Sequence, residues 1–202
     1  MPRPSAMRLS IAICLACLFG FSISVLGQPI SAGIVGGGTL TQDFQNQTIG
    51  DQKITSTPIR WMGGGMIELR LPFHLAVEAD GLYHELKYTV VFLNPNRPPS
   101  GPSLAHPVTW EFPVMAKYRF SLPKMKSSIR PLVEGGPIFR TAGDLNGARP
   151  SNHGFTVGAG VELRAWKLRI APQLRYSRWA VDHFSFAPTV PNQVQLLTSV
   201  SF

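Results

Sequence analysis

Acidic and basic side chains recur at every second position in several segments of the chain. Glu68 and Arg70 are two residues apart, and so are Lys117 and Arg119. Because side chains two apart point to the same face of a β-strand, such pairs predict polar faces that carry charges of both signs. The chemistry that this pattern favours is ion pairing between strands. The candidate residues are Glu68, Arg70, Glu78, Asp80, Glu111, Lys117, Arg119, Arg130, Glu134, Glu162, Arg164, Arg169 and Arg175.

The other reactive side chains do not predict catalysis, a cofactor or a metal site. No two of the five histidines have metal-ligand spacing on one strand face. Two pairs of polar residues lie in or beside predicted loops: Ser151 with His153, and Asp182 with His183. We favour the interpretation that they are solvated loop residues. The alternative is a Ser-His-Asp site assembled across loops. The glycines of residues 33–38 are not followed by the Lys-Ser/Thr of a phosphate-binding loop. The histidines are His74, His84, His106, His153 and His183.

The composition favours a β-rich domain. Charged residues make up 15% of the 202 residues, below the quarter that is usual for soluble domains, and the chain holds 19 glycines and 18 prolines. Such a chain suits short strands and many turns. The net charge of +8 raises nucleic acid as a partner. The bases are spread along the strands and form no basic patch, so we predict no nucleic-acid binding.

Residues 1–27 have the pattern of a cleaved secretory signal. Arg3 and Arg8 form a short basic region, residues 9–25 carry no charge, and small residues precede a cleavage point before Gln28. The alternative is a retained membrane helix. The two cysteines, Cys14 and Cys17, both lie inside this segment, so the mature domain, residues 28–202, is predicted to contain no disulfide.

Eight segments of the mature chain are strand candidates, because their apolar and polar residues alternate with a period of two. Long polar segments at residues 42–58, 93–107, 141–152 and 182–191 alternate with short connections, which predicts an up-and-down meander. The third candidate changes phase near Gly81, so we expect a bulge there. The candidates are residues 32–41, 61–71, 73–92, 110–122, 129–140, 153–166, 167–176 and 193–202.

The charges on the polar faces decide between a membrane barrel and a soluble one. In a small membrane barrel the apolar face meets lipid, and the polar face fills a narrow interior, where each charge needs a partner of opposite sign. The candidate charges are close to balanced, as this arrangement requires. Trp61, Trp110, Trp166 and Tyr118 also suit interfacial aromatic girdles. We therefore predict an all-β fold, an eight-stranded antiparallel up-and-down transmembrane β-barrel; the alternative is a soluble barrel that binds a small apolar ligand.

Four prolines conflict with regular pairing inside these strands. Pro113, Pro131, Pro137 and Pro172 each remove one backbone donor, and a closed barrel has no free edge to accommodate the loss. We expect bulges or strand ends at these positions.

Two parts of the chain resemble known outer-membrane proteins. Residues 194–202 alternate and end in Phe202, which resembles the C-terminal signal that the barrel assembly machinery of bacteria reads. Residues 110–120 and 130–136 are similar to strands of the outer-membrane beta-barrel domain family, small eight-stranded barrels of the OmpA transmembrane-domain and OmpX type. The resemblance covers residues 29–202 and implies the outer membrane of a Gram-negative bacterium, with Phe202 as the assembly signal.

A weaker resemblance points to barrel enzymes that remove an acyl chain from lipid A. Those enzymes carry a His-x-Ser pair on a lipid-facing strand, whereas this chain has Arg175, Tyr176 and Ser177 at the matching place. Arginine does not deprotonate a serine in a protein. We therefore do not carry that activity over to Ser177.

The predicted function is structural or surface-interacting, in a monomeric barrel that is not an enzyme and whose interior is filled by side chains. The alternatives are a narrow pore for small solutes and a lipid A-modifying enzyme. The expected partners are outer-membrane lipid, lipopolysaccharide and the barrel assembly machinery. Arg97, Arg140 and Arg149, on the loop side, are candidates to contact lipopolysaccharide phosphates.

Overall fold

The computed structural model describes residues 30–56, 61–93, 103–105, 108–121, 128–142, 150–165, 167–182 and 187–202. The predicted signal segment, residues 1–27, lies outside the described residues. So do five residues singled out above, namely Arg97, His106, Arg149, Trp166 and His183.

Eight antiparallel strands close into a barrel in the order β1-β12-β11-β10-β9-β8-β5-β4. Closure comes from β1, which pairs with β4 on one side and with β12 on the other. The predicted all-β, eight-stranded up-and-down barrel is therefore confirmed. Among the described residues, no helix is long and apolar enough to span a membrane. The strands are β1 Ile30–Thr39, β2 Gln47–Ile49, β3 Gln52–Ser56, β4 Met62–Arg70, β5 Leu75–Glu85, β6 Tyr88–Phe92, β7 Ser103–Ala105, β8 Val108–Arg119, β9 Ile129–Ala142, β10 His153–Ala165, β11 Leu168–Trp179 and β12 Asn192–Ser201.

Four short strands form a second sheet, in the order β2-β3-β6-β7. The sequence predicted loops over β2, β3 and β7, and it merged β5 with β6 into one strand. Both predictions are wrong. The chain leaves the barrel after β5, which pairs with β8, and the next strand, β6, pairs with β3 in the second sheet. The second sheet has its own small apolar core, which an isolated loop would lack. That core consists of Phe44, Ile54, Leu86, Tyr88, Val90 and Ala187.

The barrel strands carry their apolar residues on the outside. On β8, Trp110, Phe112 and Val114 are about 40% exposed, while the alternate residues Glu111 and Lys117 are buried. Phe155 and Val157 on β10 also point outward, and Glu162 points inward. Water does not solvate so large a continuous apolar surface, and hydrocarbon does. The barrel therefore has the outer surface of a membrane-spanning protein.

The barrel has one end with short turns and one end with long connections. The β4–β5 turn and both described termini, Ile30 and Phe202, lie at the short end, where the Phe202 backbone amide donates to the Ala32 carbonyl. We call this the turn end. The opposite end carries the second sheet, and we call it the loop end. In outer-membrane barrels the turn end faces the periplasm and the loop end faces the outside.

The glycine-rich strands β1 and β4 pack unusually close to their neighbours. A Cβ atom at Gly64 would overlap the Gly81 carbonyl oxygen, and one at Gly37 would overlap the Leu196 carbonyl oxygen. Glycine is therefore required at both positions. The inward residues beside these glycines are apolar and fill one side of the interior; they are Val35, Met62, Met66, Leu82 and Leu197.

The predicted bulges are absent from the described ladders. The β4–β5 register is constant on both sides of Gly81, so the bulge expected there is wrong. The apparent phase change arises because Leu82 is an apolar residue that points inward. The registers at Pro113, Pro137 and Pro172 are also constant, and these residues lie inside their strands; Pro131 is the third residue of β9. Each proline removes one backbone donor from its ladder, and no extra residue is inserted into the strand there.

An arginine at the centre of the lipid-facing surface tests this orientation. Leu174 points outward from the middle of β11 and is half exposed. We expect Leu174→Arg to destabilise the barrel by about 2–4 kcal/mol, because hydrocarbon solvates a guanidinium poorly. The measurement is the urea midpoint of folding into lipid vesicles. Val181→Arg is the matched control, because Val181 is highly exposed beyond the end of β11. Equal midpoints for the two variants would contradict the outward apolar face.

Candidate functional site

Lys117 and Arg175 hold the centre of a buried ion-pair network inside the barrel. Lys117 donates to Glu78 and lies 3.3 Å from Glu134. Arg175 contacts three carboxylates, with distances of 3.0 Å to Glu78, 2.6 Å to Asp80 and 2.6 Å to Glu134. All five side chains are almost completely shielded from solvent. Their contacts join β5, β8, β9 and β11 across the interior.

The network continues toward the turn end through Arg119. This guanidinium donates to Glu68 on β4 and, at 2.6 Å, to Glu162 on β10. Arg70 donates to Glu68 from the same strand at 3.1 Å, and Lys117 lies 3.8 Å from Glu68. Five carboxylates and four cations thus form one connected and nearly neutral set.

The strand register positions these charges, and one glycine makes room for them. Lys117 stands opposite Glu134 in the β8–β9 ladder. Gly158 stands between Glu134 and Arg175 in the next two ladders. A Cβ at Gly158 would lie 2.8 Å from Glu134 Oε1 and 3.1 Å from Arg175 Cγ. The missing side chain therefore gives Glu134 and Arg175 the space in which they meet.

A second polar cluster lies nearer the loop end and contains residues that sequence reasoning missed. His84 Nδ1 lies 3.1 Å from Glu111 Oε1, and His84 Nε2 lies 3.7 Å from Asp43 Oδ2. Gln195 donates to Glu111, and Gln193 donates to Asp43. His84 lies an even number of residues after Glu78 and Asp80, a signal that could have found it. Asp43 lay in a predicted loop, and no local pattern marks it as buried.

Arg140 is a third buried group at the loop end, beside this cluster. It donates to the Ser151 carbonyl at 2.6 Å and to the Thr189 hydroxyl at 3.3 Å. Its guanidinium also lies 4.1 Å from the centre of the Trp179 ring. The expectation that Arg140 contacts lipopolysaccharide is wrong, because its side chain points inward and is buried.

Three predicted interior charges do not join the network. Arg130, Arg164 and Arg169 lie at the turn end, where Arg164 is exposed and the other two are half-buried. Within the described part of the chain no carboxylate lies within 4.0 Å of any of them. The expectation of a partner for every charge is wrong here, because these side chains reach the solvated rim. They line a cavity of about 190 Å³ with Arg70, Leu71, His74, Leu75, Arg119 and Glu162.

Among the described residues, neither candidate catalytic serine hydrogen-bonds to an imidazole. Ser177 is fully buried inside the barrel and donates to the Thr156 hydroxyl at 3.0 Å, so it does not face lipid. Ser151 donates its hydroxyl to the His153 carbonyl, while Asp182 accepts from the Ser151 amide. Among the described residues, no group of three or more His, Cys, Asp or Glu could hold a metal ion.

Phe202 lies on the outward face at the turn end and is largely exposed. Its role as an assembly signal stays a prediction.

No family model matches the chain. No protein in the curated collection matches it either.

Solved structures share the fold. Neisserial surface protein A has a TM-score of 0.56 and 14% identity, over 87% of this chain and 97% of that one. The outer membrane protein OprG of Pseudomonas aeruginosa has a TM-score of 0.52 and 12% identity, over 86% and 94%. The outer membrane protein AlkL has a TM-score of 0.53 and 9% identity, over 87% and 89%. With its apolar exterior and charged interior, the chain has the fold of the small eight-stranded barrels of the bacterial outer membrane.

Removing Arg175 tests the central network. Arg175→Met leaves Glu78, Asp80 and Glu134 facing one another without their shared cation. We expect a loss of about 3–5 kcal/mol in unfolding free energy at neutral pH, with a smaller loss in acid, where the carboxylates are protonated. The measurement is urea unfolding followed by heat-modifiable gel migration.

Arg178→Met is the matched control for this variant. Arg178 lies three residues further along β11, is exposed and points outward, so its loss removes the same charge without touching the interior. If both variants lowered stability equally, the network would not be the cause.

Asp43 provides a pH-dependent test at the loop end. Burial, assisted by repulsion from Glu111 and opposed by His84 and Arg140, raises the pKa of Asp43 to about 6. Because the folded state holds this proton at a higher pH than the unfolded state, the contribution of Asp43 to stability is present in acid and lost as pH rises through 6. We expect Asp43→Asn to remove this loss, which is on the order of 2–3 kcal/mol.

The measurement compares unfolding midpoints at pH 3.5 and pH 7.5, which lie on either side of the ordinary and the raised pKa of Asp43. The advantage of Asp43→Asn over the unmodified protein should grow with pH. Parallel profiles for Asp43→Asn and the unmodified protein would argue against a buried, weakly acidic Asp43.

Proposed function

We propose that this protein is a closed outer-membrane barrel with a structural and surface-interacting role and no enzymatic activity. The observation that supports closure is the ion-pair network around Lys117 and Arg175. Its side chains meet across the interior from β5, β8, β9 and β11, at a level where eight strands enclose only enough width for side chains. Ions passing this level would have to displace paired charges.

The loop-end cluster supports closure at a second level. Asp43, His84 and Glu111 form one contact chain, and Arg140 with Trp179 forms another beside it. A solute entering from outside would meet this layer before the central network. In this proposal the loop-end layer narrows the entrance, and the central network behind it closes the passage.

The second sheet supports a surface-interacting role. Strands β2, β3, β6 and β7 pair with one another and pack on a buried apolar core around Phe44 and Tyr88, whose rings are 4.9 Å apart. The loop end therefore presents ordered backbone to the exterior. In this proposal outer-membrane lipid and lipopolysaccharide surround a monomeric barrel, and the barrel assembly machinery reads Phe202.

Planar-bilayer conductance tests closure directly. We expect no discrete conductance steps from the purified full chain in 1 M KCl. We expect steps from a variant that carries serine at Glu78, Lys117, Glu134 and Arg175, because these substitutions remove both the charges and the bulk of the central network. Arg178→Ser, on the outer face, is the control and should stay silent.

Regular single-channel steps from the unmodified protein would overturn closure and favour the alternative, a narrow pore for small solutes. The quadruple variant must keep heat-modifiable migration, which shows that the barrel still forms. If it folds and stays silent, the central network is not what closes the interior.

A further inference from the structure

The turn-end cavity has a strong excess of positive charge. Its lining includes five arginines and His74, against one carboxylate, Glu162. Glu162 is already engaged, since it accepts from Arg119 at 2.6 Å. Glu68, just behind the lining, is shared by Arg119 and Arg70. The carboxylates near this cavity are therefore occupied by two of the five arginines.

The other three arginines have no carboxylate partner in the described chain. Arg130 stands opposite Glu162 in the β9–β10 ladder, yet the Glu162 side chain pairs with Arg119 instead. Arg164 and Arg169 stand directly opposite each other in the β10–β11 ladder. Like charges in that relation destabilise a sheet. Each cation of the central network has a carboxylate partner, whereas these three arginines at the turn end have none in the described chain.

A buried donor in the cavity wall also lacks a partner. The Arg70 Nη2 atom is shielded from solvent and makes no hydrogen bond, although Arg70 Nε donates to Glu68. A buried donor without an acceptor is costly. An anion seated in the cavity would relieve the repulsion between Arg164 and Arg169.

The β4–β5 turn holds one wall of the cavity in a fixed position. Phe73 and His74 both adopt left-handed backbone conformations, with φ of 62° and 66°. Two such residues in succession form the tight hairpin turn that glycine and asparagine normally occupy. His74 Nε2 lies 3.0 Å from the Ser121 hydroxyl, and the Arg119 amide donates to the His74 carbonyl. The turn is thereby tied to the end of β8, beside the arginines.

We propose that the turn-end cavity binds a phosphate group. Guanidinium groups match the oxygens of phosphate through paired hydrogen bonds, and several together suit its double negative charge. A volume of about 190 Å³ accommodates a phosphate or pyrophosphate group. The turn end faces the periplasm, so the group comes either from a soluble phosphate compound there or from a phospholipid headgroup of the inner leaflet.

Calorimetric titration with inorganic pyrophosphate tests the proposal. The full chain is placed in phosphatidylcholine nanodiscs in phosphate-free buffer, at low and at physiological salt. We expect one saturable site, and binding at least tenfold weaker in Arg164→Gln/Arg169→Gln. The matched control is Lys53→Gln/Arg178→Gln, which removes the same charge from exposed positions away from the cavity; its affinity should stay within twofold of the unmodified protein.

A second pair of variants separates charge from geometry. Arg164→Lys/Arg169→Lys keeps both charges and loses the paired donors, so its affinity should fall between those of the unmodified protein and the glutamine pair. Without pyrophosphate, the glutamine pair should unfold at a higher urea concentration than the unmodified protein, because the repulsion is removed. This readout holds even if pyrophosphate binding is weak.

Lipid retention distinguishes the two sources. Protein released from nanodiscs of equal phosphatidylglycerol and phosphatidylcholine is examined by native mass spectrometry. Saturable pyrophosphate binding without phosphatidylglycerol enrichment supports a soluble ligand, and enrichment that is lost in the glutamine pair supports a headgroup. The proposal is overturned if neither ligand binds, or if the cavity pair and the control pair weaken binding equally.

Discussion

The fold depends on one solvation constraint, which is that hydrocarbon surrounds the barrel while charges fill its interior. Phe112 and Leu174 need an apolar solvent outside, and Lys117 and Arg175 need carboxylates inside. A slip of one residue in any ladder would exchange the two faces and place buried charges in lipid. Buried ion pairs often contribute little net stability compared with apolar residues of similar volume, but a shifted register would leave their charges without partners.

The interior is divided into layers with different degrees of pairing. At mid-height the carboxylates and cations are paired and buried, and in the proposed function this layer closes the barrel. Near the loop end Asp43, His84 and Glu111 form a buried cluster of three titratable groups. At the turn end Arg164 and Arg169 face each other without a carboxylate. Charges that the sequence presents as one set therefore serve different purposes at different depths.

The loop-end sheet distinguishes this chain from a bare barrel. Residues in two long connections pair through β3 and β6 and bury Phe44 against Tyr88. The fold is shared with proteins that have fewer than 15% of residues in common with this chain. At that distance the likeness concerns architecture alone, and function has to be argued from the interior and the loop end.

The two-residue alternation in the sequence determined the eight strands of the barrel and the side of each that meets lipid. A local pattern suffices for this because a side chain's face depends only on whether its position along the strand is odd or even. The tertiary structure decided which charges meet. Glu162 pairs with Arg119 across the barrel and not with its ladder neighbour Arg130, and buried Asp43 comes from a segment without strand character. Those outcomes depend on distances across the interior and on the depth of each residue, which no local pattern records.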